Sequence, residues 1–293
     1  MTILVTGSSG FIGSNLIKTL DKKKINFIGI DKIKNPYFKI KNFYKIDLLN
    51  QKKLEEIILK KKIKHVIHLA AIPGFVNCHN SPSDAFKNNI EATFNLLMAC
   101  KKNNVQNILL ASSMGVDNFL TNPSIYGLTK FVCEKFSRTF NVNFKMNIKI
   151  CKFSNVFGPY SSHKTSAVHA FMKKILSNQK IKIHKSGTQE RDFIFVEDVC
   201  KKLISNISNK TTAKEININT NKYLRIIDIV HILNKISKKN NKYTYVKTPQ
   251  GYDDKVYKKP IMKIRKNIIK KLEITFNWYK NRAKKNENTN SWW

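Results

Sequence analysis

Thr2-Ile-Leu-Val-Thr6-Gly7-Ser8-Ser9-Gly10-Phe11-Ile12-Gly13 is the stretch on which the fold turns. The short apolar run Ile3 to Val5 reads as a buried parallel strand. It breaks at Gly7, and apolar residues at helical spacing follow at once: Phe11, Ile12, Leu16, Ile17 and Leu20. Strand, glycine turn and helix in that order make the first unit of a doubly wound nucleotide-binding fold. Gly7 permits the tight turn, Gly10 lets backbone approach a pyrophosphate, and Gly13 lets the helix pack close on the strand. The N–H groups and positive dipole end at the start of the helix suit phosphate. The spacing is Gly-x-x-Gly-x-x-Gly, one residue wider at the front than Gly-x-Gly-x-x-Gly. Glycines also serve ordinary turns; the immediate strand-to-helix context is what favours a dinucleotide.

The rest of the N-terminal half repeats the pattern. A second strand over 25–30 ends at Asp31, about 20 residues past the glycines, where a carboxylate can accept from the adenosine ribose hydroxyls and repel a 2′-phosphate. That favours NAD over NADP, although Lys32 and Lys34 soften the preference and Asp31 also reads as a plain turn residue. A third strand runs into Asp47-Leu48, whose carboxylate can accept from an adenine amino group. A helix over 51–62 follows, then a fourth strand, His65-Val-Ile-His-Leu69-Ala70-Ala71, ending in small residues where backbone can lie against a cofactor. Ser81-Pro82 opens a long helix to Cys100, with proline suited to its first turn, and 105–113 is a fifth strand closing on Ser112-Ser113. Strand–helix alternation predicts a parallel sheet covered on both faces, with ligand at its carboxyl edge.

The 293-residue chain is long enough to bury a substantial core without disulfides or metals, and its 42% hydrophobic content is ordinary. No apolar run approaches the roughly 18–20 residues that span a bilayer. Strand and phosphate loop start at the second residue, so neither a membrane span nor a signal peptide is expected. Fifty-four basic residues against 19 acidic give +35, which raises nucleic acid as a partner. Only five of the basic residues are arginine (Arg138, Arg191, Arg225, Arg265, Arg282), the type suited to bidentate recognition, and the lysines are spread along the whole chain. No specific nucleic-acid partner is therefore expected; the positive field should attract anionic ligands and hold polyanions non-specifically. Five scattered cysteines, odd in number and without Cys-x-x-Cys spacing, point to reduced thiols in the cytoplasm and to no zinc site. His65 and His68 point to opposite faces of a strand and read as structural, so no metal is expected.

Thirteen residues past Ser113, Tyr126-Gly-Leu-Thr-Lys130 opens a helix to about Phe140. Tyr126 and Lys130 at i and i+4 share a face. An ammonium beside a phenol, with the positive nicotinamide, stabilises phenolate. Lowering a tyrosine from about 10 toward 7 takes roughly 4 kcal/mol of preferential stabilisation. The tyrosine becomes a base matched to neutral pH, with Ser113 holding the same substrate oxygen. Alone, such a pair also reads as an aromatic anchor and a solvated lysine; the glycine loop and the serine give it weight.

On these residues the chain resembles the extended short-chain dehydrogenase/reductases, in particular the NAD-dependent sugar-nucleotide epimerase/dehydratase family, over nearly its whole length to about residue 257. The resemblance implies a cofactor loop at Gly7, Gly10, Phe11, Ile12 and Gly13, a ribose ligand at Asp31 and an adenine contact at Asp47-Leu48. It puts Leu69, Ala70 and Ala71 beside the cofactor and Asn89 as a brace for the active-site backbone. Ser113, Tyr126 and Lys130 fall on the catalytic positions, Lys130 also holding the nicotinamide ribose. Asn155, in Lys152-Phe-Ser-Asn155-Val-Phe-Gly158-Pro159, and Arg191, in Glu190-Arg191-Asp192-Phe, resemble the substrate-diphosphate contacts. Arg191 also reads as part of a surface turn. Homodimers through two helices each are implied, at 82–102 and 124–141.

Departures from the family pattern shape the expected reaction. Met114-Gly115 follow Ser113 where dehydratases and decarboxylases place an acid, which favours epimerisation. Asp117-Asn118 replace the usual tyrosine-glycine. Val76 stands where members acting on uronic sugars often carry arginine, so a carboxylated sugar is disfavoured. A second diphosphate-binding arginine is missing from 249–254, with Arg225 or Lys255 as substitutes, and the last elements are compressed into one helix over 261–280.

The expected fold is α/β: a Rossmann doubly wound parallel sheet, 1–155 with 190–220 returning to it, and a smaller, shortened substrate lobe from 156–189 and 221–285, before a disordered tail 286–293. The expected reaction is NAD-dependent inversion at C4 of a nucleotide-activated hexose, a UDP-sugar, through a 4-keto sugar. Other 4-keto chemistry (dehydratase, reductase, C3 epimerase) and a catalytically silent NAD- or polyanion-binding protein are the alternatives.

Overall fold

The computed structural model describes residues 2–121, 123–207, 209, 213–247 and 266–285. The chain divides into two compact units, 1–153 with 197–218, and 154–196 with 219–293.

The first unit is built on seven strands. They are β1 (Thr2–Thr6), β2 (Asn26–Asp31), β3 (Phe43–Lys45), β4 (His65–His68), β5 (Asn107–Ser113), β6 (Ile148–Phe153) and β10 (Glu215–Ile218). Their order is β10-β6-β5-β4-β1-β2-β3 and every pairing is parallel. Ile3, Leu4 and Val5 are fully buried, as a strand covered on both faces requires. The strand order reverses beside β1, between β2 and β4, and a crevice at the carboxyl ends of the strands is where such sheets take ligands. Helices α1 (Phe11–Lys22), α2 (Gln51–Lys60), α5 (Ala92–Lys102), α6 (Ile125–Phe144) and α8 (Val196–Ile207) provide the crossovers. Leu4, Ile28, Leu54, Val66, Leu96 and Ile148 anchor one continuous core.

The long helix expected from Ser81 is real but not uniform. It runs as α4 (Pro82–Ala85), a π-helical turn (Phe86–Glu91) and α5, and a short α3 (Phe75–Asn80) precedes it. The wider turn puts one extra residue into the helix, a device common at functional sites.

The second unit holds two small sheets. One is β11-β9-β7, from β7 (Asn155–Phe157), β9 (Glu190–Phe195) and β11 (Tyr223–Arg225); the other pairs β8 (Ile181–His184) with β12 (Tyr243–Val246). Helices α7 (Ala167–Leu176), α9 (Ile226–Ser237) and α10 (Lys266–Lys285) share a core of Phe157, Phe171, Phe193, Val230, Phe276 and Tyr279. The buried Tyr279 hydroxyl donates to Ser161 O at 2.6 Å, fixing α10 in this core. Two boundaries differ from the sequence reading by five residues or more, and the ends expected at 155 and 220 fall at 153 and 218. Residues 190–195 belong to this unit, because β9 bonds to β7 and β11 and buries Phe193 and Phe195 here; the chain re-enters the first unit at Glu197. The last helix continues to Lys285, five residues past the expected end. Residues 249–265 and 286–293, including Lys255 and the expected disordered tail, lie outside the described residues.

Candidate active site

The glycine loop is locked by its own backbone. Gly7 has φ +69°, and a Cβ there would lie 2.6 Å from Ala70 N. A Cβ on Gly13 would overlap the Gly7 carbonyl oxygen. Ala70 N–H donates to Thr6 Oγ1 (3.4 Å), and Leu69 N–H to Thr6 O (3.1 Å), so the backbone at the end of β4 lies against the loop. Gly10 caps α1 in extended conformation, and its carbonyl accepts from Ser14 N–H at 2.8 Å. Phe11 packs into the core while Ile12 is half-buried. Asp31, at the end of β2, accepts Ser9 N–H (3.0 Å) on one carboxylate oxygen and Ile33 N–H (3.2 Å) on the other. Burial raises its pKa and those hydrogen bonds oppose the rise. The carboxylate, with about four lone-pair sites, keeps acceptor capacity for a ribose hydroxyl. Asp47 is exposed and holds Leu49 N–H at 3.0 Å; the Leu48 side chain is in the core and its carbonyl accepts from Asn95. A loop with glycine at both ends, Gly7 and Gly10, in front of a helix N-terminus, with a carboxylate at the end of the next strand, fits the pyrophosphate and ribose of NAD.

His68 lies behind this loop in a directed chain of hydrogen bonds. Thr93 Oγ1 donates to Asn89 O (2.5 Å), so it accepts from His68 Nε2 (2.9 Å); His68 Nδ1 then accepts from Thr6 Oγ1 (2.6 Å). Burial, with the charge of Lys130, holds the imidazole neutral, its pKa lowered from 6.5 to about 3. A folded-state value below the unfolded one stabilises the fold above pH 6.5, and that contribution is lost as pH falls toward 3. Urea midpoints should therefore drop across this acid range, and His68→Gln should flatten the decline. His163 and His169, also lowered by burial, keep part of it. An acid limb identical in the variant would remove His68 from this role.

Asn89 sits on the π-helical turn, fully enclosed. Its Oδ1 accepts Ile72 N–H (2.7 Å), and its Nδ2 donates to Ile72 O (3.1 Å) and Thr129 Oγ1 (3.1 Å). It braces the strand-end backbone next to Ala71 and ties it to α6.

Helix α6 begins on a Ser124 cap that accepts Gly127 N–H at 3.0 Å, which places Tyr126 in the first turn. Tyr126 is half-buried, and its phenol lies beside the Ser113 hydroxyl at the end of β5. Lys130 is buried one turn on, with Nζ donating to Ala111 O at 3.0 Å, one of the three donors of an ammonium. The expected lowering of the tyrosine draws on the nicotinamide charge as well as on Lys130, and the protein's own groups act the other way. Burial pushes the Tyr126 phenol up to about 12, Cys78 adds to the rise, and only the Ser113 hydrogen bond opposes it; the Lys130 ammonium is turned to the β5 backbone. Burial lowers Lys130 itself. Cys78, buried on α3 with Sγ donating to Ile72 O, escaped sequence reading because nothing local marks a residue 48 positions from Tyr126 as its neighbour.

In the second unit Asn155 is exposed on β7 and its Nδ2 donates to Asp192 O at 3.1 Å. Arg191, half-buried on β9, donates from Nη1 to Glu190 O (2.8 Å). It stands on a strand, not a surface turn: its neighbour Asp192 is buried, accepting Ser154 Oγ (2.9 Å), Thr220 N–H (3.0 Å) and Lys222 N–H (3.2 Å). Arg225, expected as a stand-in for the missing arginine, is committed to Asp228 through Nε (3.0 Å) and Nη2 (2.8 Å), capping α9. Among the described residues no three His, Cys, Asp or Glu come together as metal ligands, and no helix is long and apolar enough to cross a membrane.

Residues 3–219 match the model of the NAD dependent epimerase/dehydratase family. The chain belongs to this family. Members of it are NAD-dependent, in keeping with the cradle described above. Among its relatives is a protein of Bacillus subtilis described as an uncharacterized UDP-glucose epimerase, 33% identical over 266 residues that cover 81% of this chain and 82% of that one. A putative UDP-glucose 4-epimerase of Methanocaldococcus jannaschii is 32% identical over 241 residues, 74% and 79% of the two chains. The crystal structure of UDP-glucuronic acid 4-epimerase from Bacillus cereus, in complex with UDP-glucuronic acid and NAD, is 27% identical with a TM-score of 0.81, covering 96% of this chain and 99% of that one.

Proposed function

We propose that this family member catalyses reversible inversion at C4 of a nucleotide-activated hexose, a UDP-sugar, through a 4-keto sugar. The observation that carries the reading is the Tyr126 phenol beside the Ser113 hydroxyl at the carboxyl edge of the sheet, with Lys130 one helical turn on. Gly7, Gly10, Phe11, Ile12 and Gly13 would hold the pyrophosphate of NAD, Asp31 and Lys130 its riboses, Asp47 and Leu48 its adenine, and Leu69, Ala70 and Ala71 its inner flank. When bound, NAD supplies the hydride acceptor, the hydride donor for the return, and a positive ring. Tyr126 takes the proton of the sugar 4-hydroxyl at Oη and gives it back. Ser113 donates to the same oxygen and polarises it. The raised pKa of the phenol makes it a strong base once ionised, and the ionisation must be drawn by positive charge in the cleft. Asn155 and Arg191 are assigned to the substrate diphosphate, where a guanidinium makes bidentate contacts. Met114 and Gly115 offer no carboxyl group next to Ser113 to protonate a leaving hydroxyl, which supports epimerisation over dehydration.

The deciding experiment incubates the purified protein with UDP-, dTDP-, GDP- and CDP-hexoses and follows C4 configuration by NMR. Conversion of a UDP-hexose to its C4 epimer is expected. Salt-sensitive RNA binding with no sugar conversion would replace this reading by a silent polyanion binder.

Two further assignments accompany the reaction. Buried unpaired thiols at all five cysteines support a reducing compartment, the cytoplasm. Exposed apolar side chains Phe86, Phe94, Leu128 and Phe144 on α5, α6 and the π-helical turn support a homodimer through these helices. Phe94→Asp should then yield monomers in sedimentation velocity; a parent that sediments as a monomer overturns the assignment.

A further inference from the structure

Tyr126 and Lys130 begin a stripe that α6 continues with Glu134 and Arg138, four residues apart. The first three grip consecutive residues of β5: Tyr126 meets Ser113, Lys130 Nζ donates to Ala111 O (3.0 Å), and Glu134 Oε1 accepts Ser112 Oγ at 2.5 Å. Glu134 is buried, and its second oxygen faces Arg138 Nη2 (3.3 Å) and Lys152 Nζ (3.8 Å). Lys152 pairs with Ser112 across β5 and β6, so both side chains lie on one face of the sheet. Its ammonium, on a side chain only 10% exposed, also meets Glu215 (3.2 Å) on β10 and Asp117 Oδ1 at 2.7 Å, while Arg138 pairs with Glu215.

Asp117 closes the circuit back to the reacting groups. It lies on the 3₁₀ turn Met114–Asn118, which starts where β5 ends. Ser113 caps that turn: its Oγ accepts Gly115 N–H at 3.1 Å while its hydroxyl meets the Tyr126 phenol. The serine oxygen therefore points where the turn allows. One end of the turn is β5 itself, and the other is anchored by the Asp117–Lys152 pair. In a chain of formal charge +35, three of the 19 acidic residues gather around two cations here. Burial lowers the Lys152 pKa, but the three carboxylates outweigh it and keep the ammonium charged.

We propose that Asp117 and Lys152 are positioning residues for Ser113: their ion pair fixes the turn that aims the Ser113 hydroxyl at Tyr126. The pair binds no substrate and moves no proton. It rests on the reading of Ser113 and Tyr126 as the reacting pair. It also accounts for Asp117 where the family usually has tyrosine, because the aspartate finds its partner in the lysine on β6.

The test compares the parent with Asp117→Asn and Lys152→Arg, using the NAD-bound protein. Asp117→Asn should lower kcat roughly ten- to a hundredfold, the loss expected of a reacting group displaced by about 1 Å. KM should hold, and the acid limb of the kcat profile should move to higher pH, because a weaker Ser113 hydrogen bond leaves the phenol harder to ionise. Lys152→Arg, which keeps the ion pair, should retain the parental profile. Parental kcat and pH profile in Asp117→Asn would overturn the proposal, as would a fall in kcat that tracks melting temperature with the acid limb unmoved. If the parent converts no nucleotide sugar, the epimerase reading has failed by itself. Ultraviolet titration of the Tyr126 phenol, with Tyr126→Phe as blank, then decides the positioning alone: a curve in Asp117→Asn shifted to higher pH supports it, and an unshifted curve overturns it.

Discussion

Tyr126→Phe should reduce turnover by roughly three orders of magnitude or more, while NAD binding and melting temperature stay near those of the parent. The substitution removes one oxygen and leaves the ring in place at the start of α6. Its structural cost is small, because the Ser113 hydroxyl that loses its partner is half-buried and still accepts Gly115 N–H; about 1 kcal/mol is the scale for such a hydrogen bond. The chemical loss is large because none of the neighbouring described groups is placed to take the proton. Lys130 is held at Ala111 O, His68 is neutral but enclosed behind the loop, and Cys78, whose pKa burial raises, donates to Ile72 O. NMR of the C4 configuration measures turnover, and calorimetric titration measures NAD. Activity within tenfold of the parent would remove Tyr126 as the base.

Much of this site is legible in the amino-acid sequence alone. A strand buried on both faces must be continuously apolar, and a loop position with no room for Cβ must be glycine, so β1, the loop and α1 emerge from the first twenty residues with bounds nearly as observed. The face shared by Tyr126 and Lys130 follows from helix geometry. What failed depends on distance along the chain. The sign of the Tyr126 shift is set by burial and by Cys78, neither of which helical spacing reveals. The π-helical turn at Asn89 hides because one extra residue barely disturbs an apolar periodicity, and α3 is too short at six residues to show any period. Residues 190–195 resemble a return to the main sheet because a buried strand has the same apolar signature in either unit. Glu134 and Arg138 could be paired by spacing, but Glu215, the second carboxylate on Arg138, and Lys152, the cation that both glutamates face, arrive through strand pairing alone.

Two alanine substitutions in the glycine loop should separate its structural task from its binding task. At Gly13, inside α1, helix propensity alone favours alanine by up to about 1 kcal/mol. Sterics reverse the sign. The new Cβ would overlap the Gly7 carbonyl oxygen and lie 2.8 Å from Ser8 Cα, both rigid backbone positions. The loop must then swing off the helix, at an overpacking cost of roughly 1–3 kcal/mol, and the cradle opens. Gly13→Ala should therefore lower the melting temperature and lose NAD binding together. At Gly10 the new Cβ meets only the Gly7 carbonyl oxygen, at 3.3 Å, a clash that a few tenths of an ångström relieve. Stability should stay within about 0.5 kcal/mol of the parent. NAD affinity should still fall at least about tenfold, since the methyl stands where backbone must approach the pyrophosphate. Thermal melts and NAD titrations of the two variants check both halves. If Gly10→Ala binds NAD like the parent, the phosphates do not lie on this loop, and the cofactor assignment fails even though the fold stands.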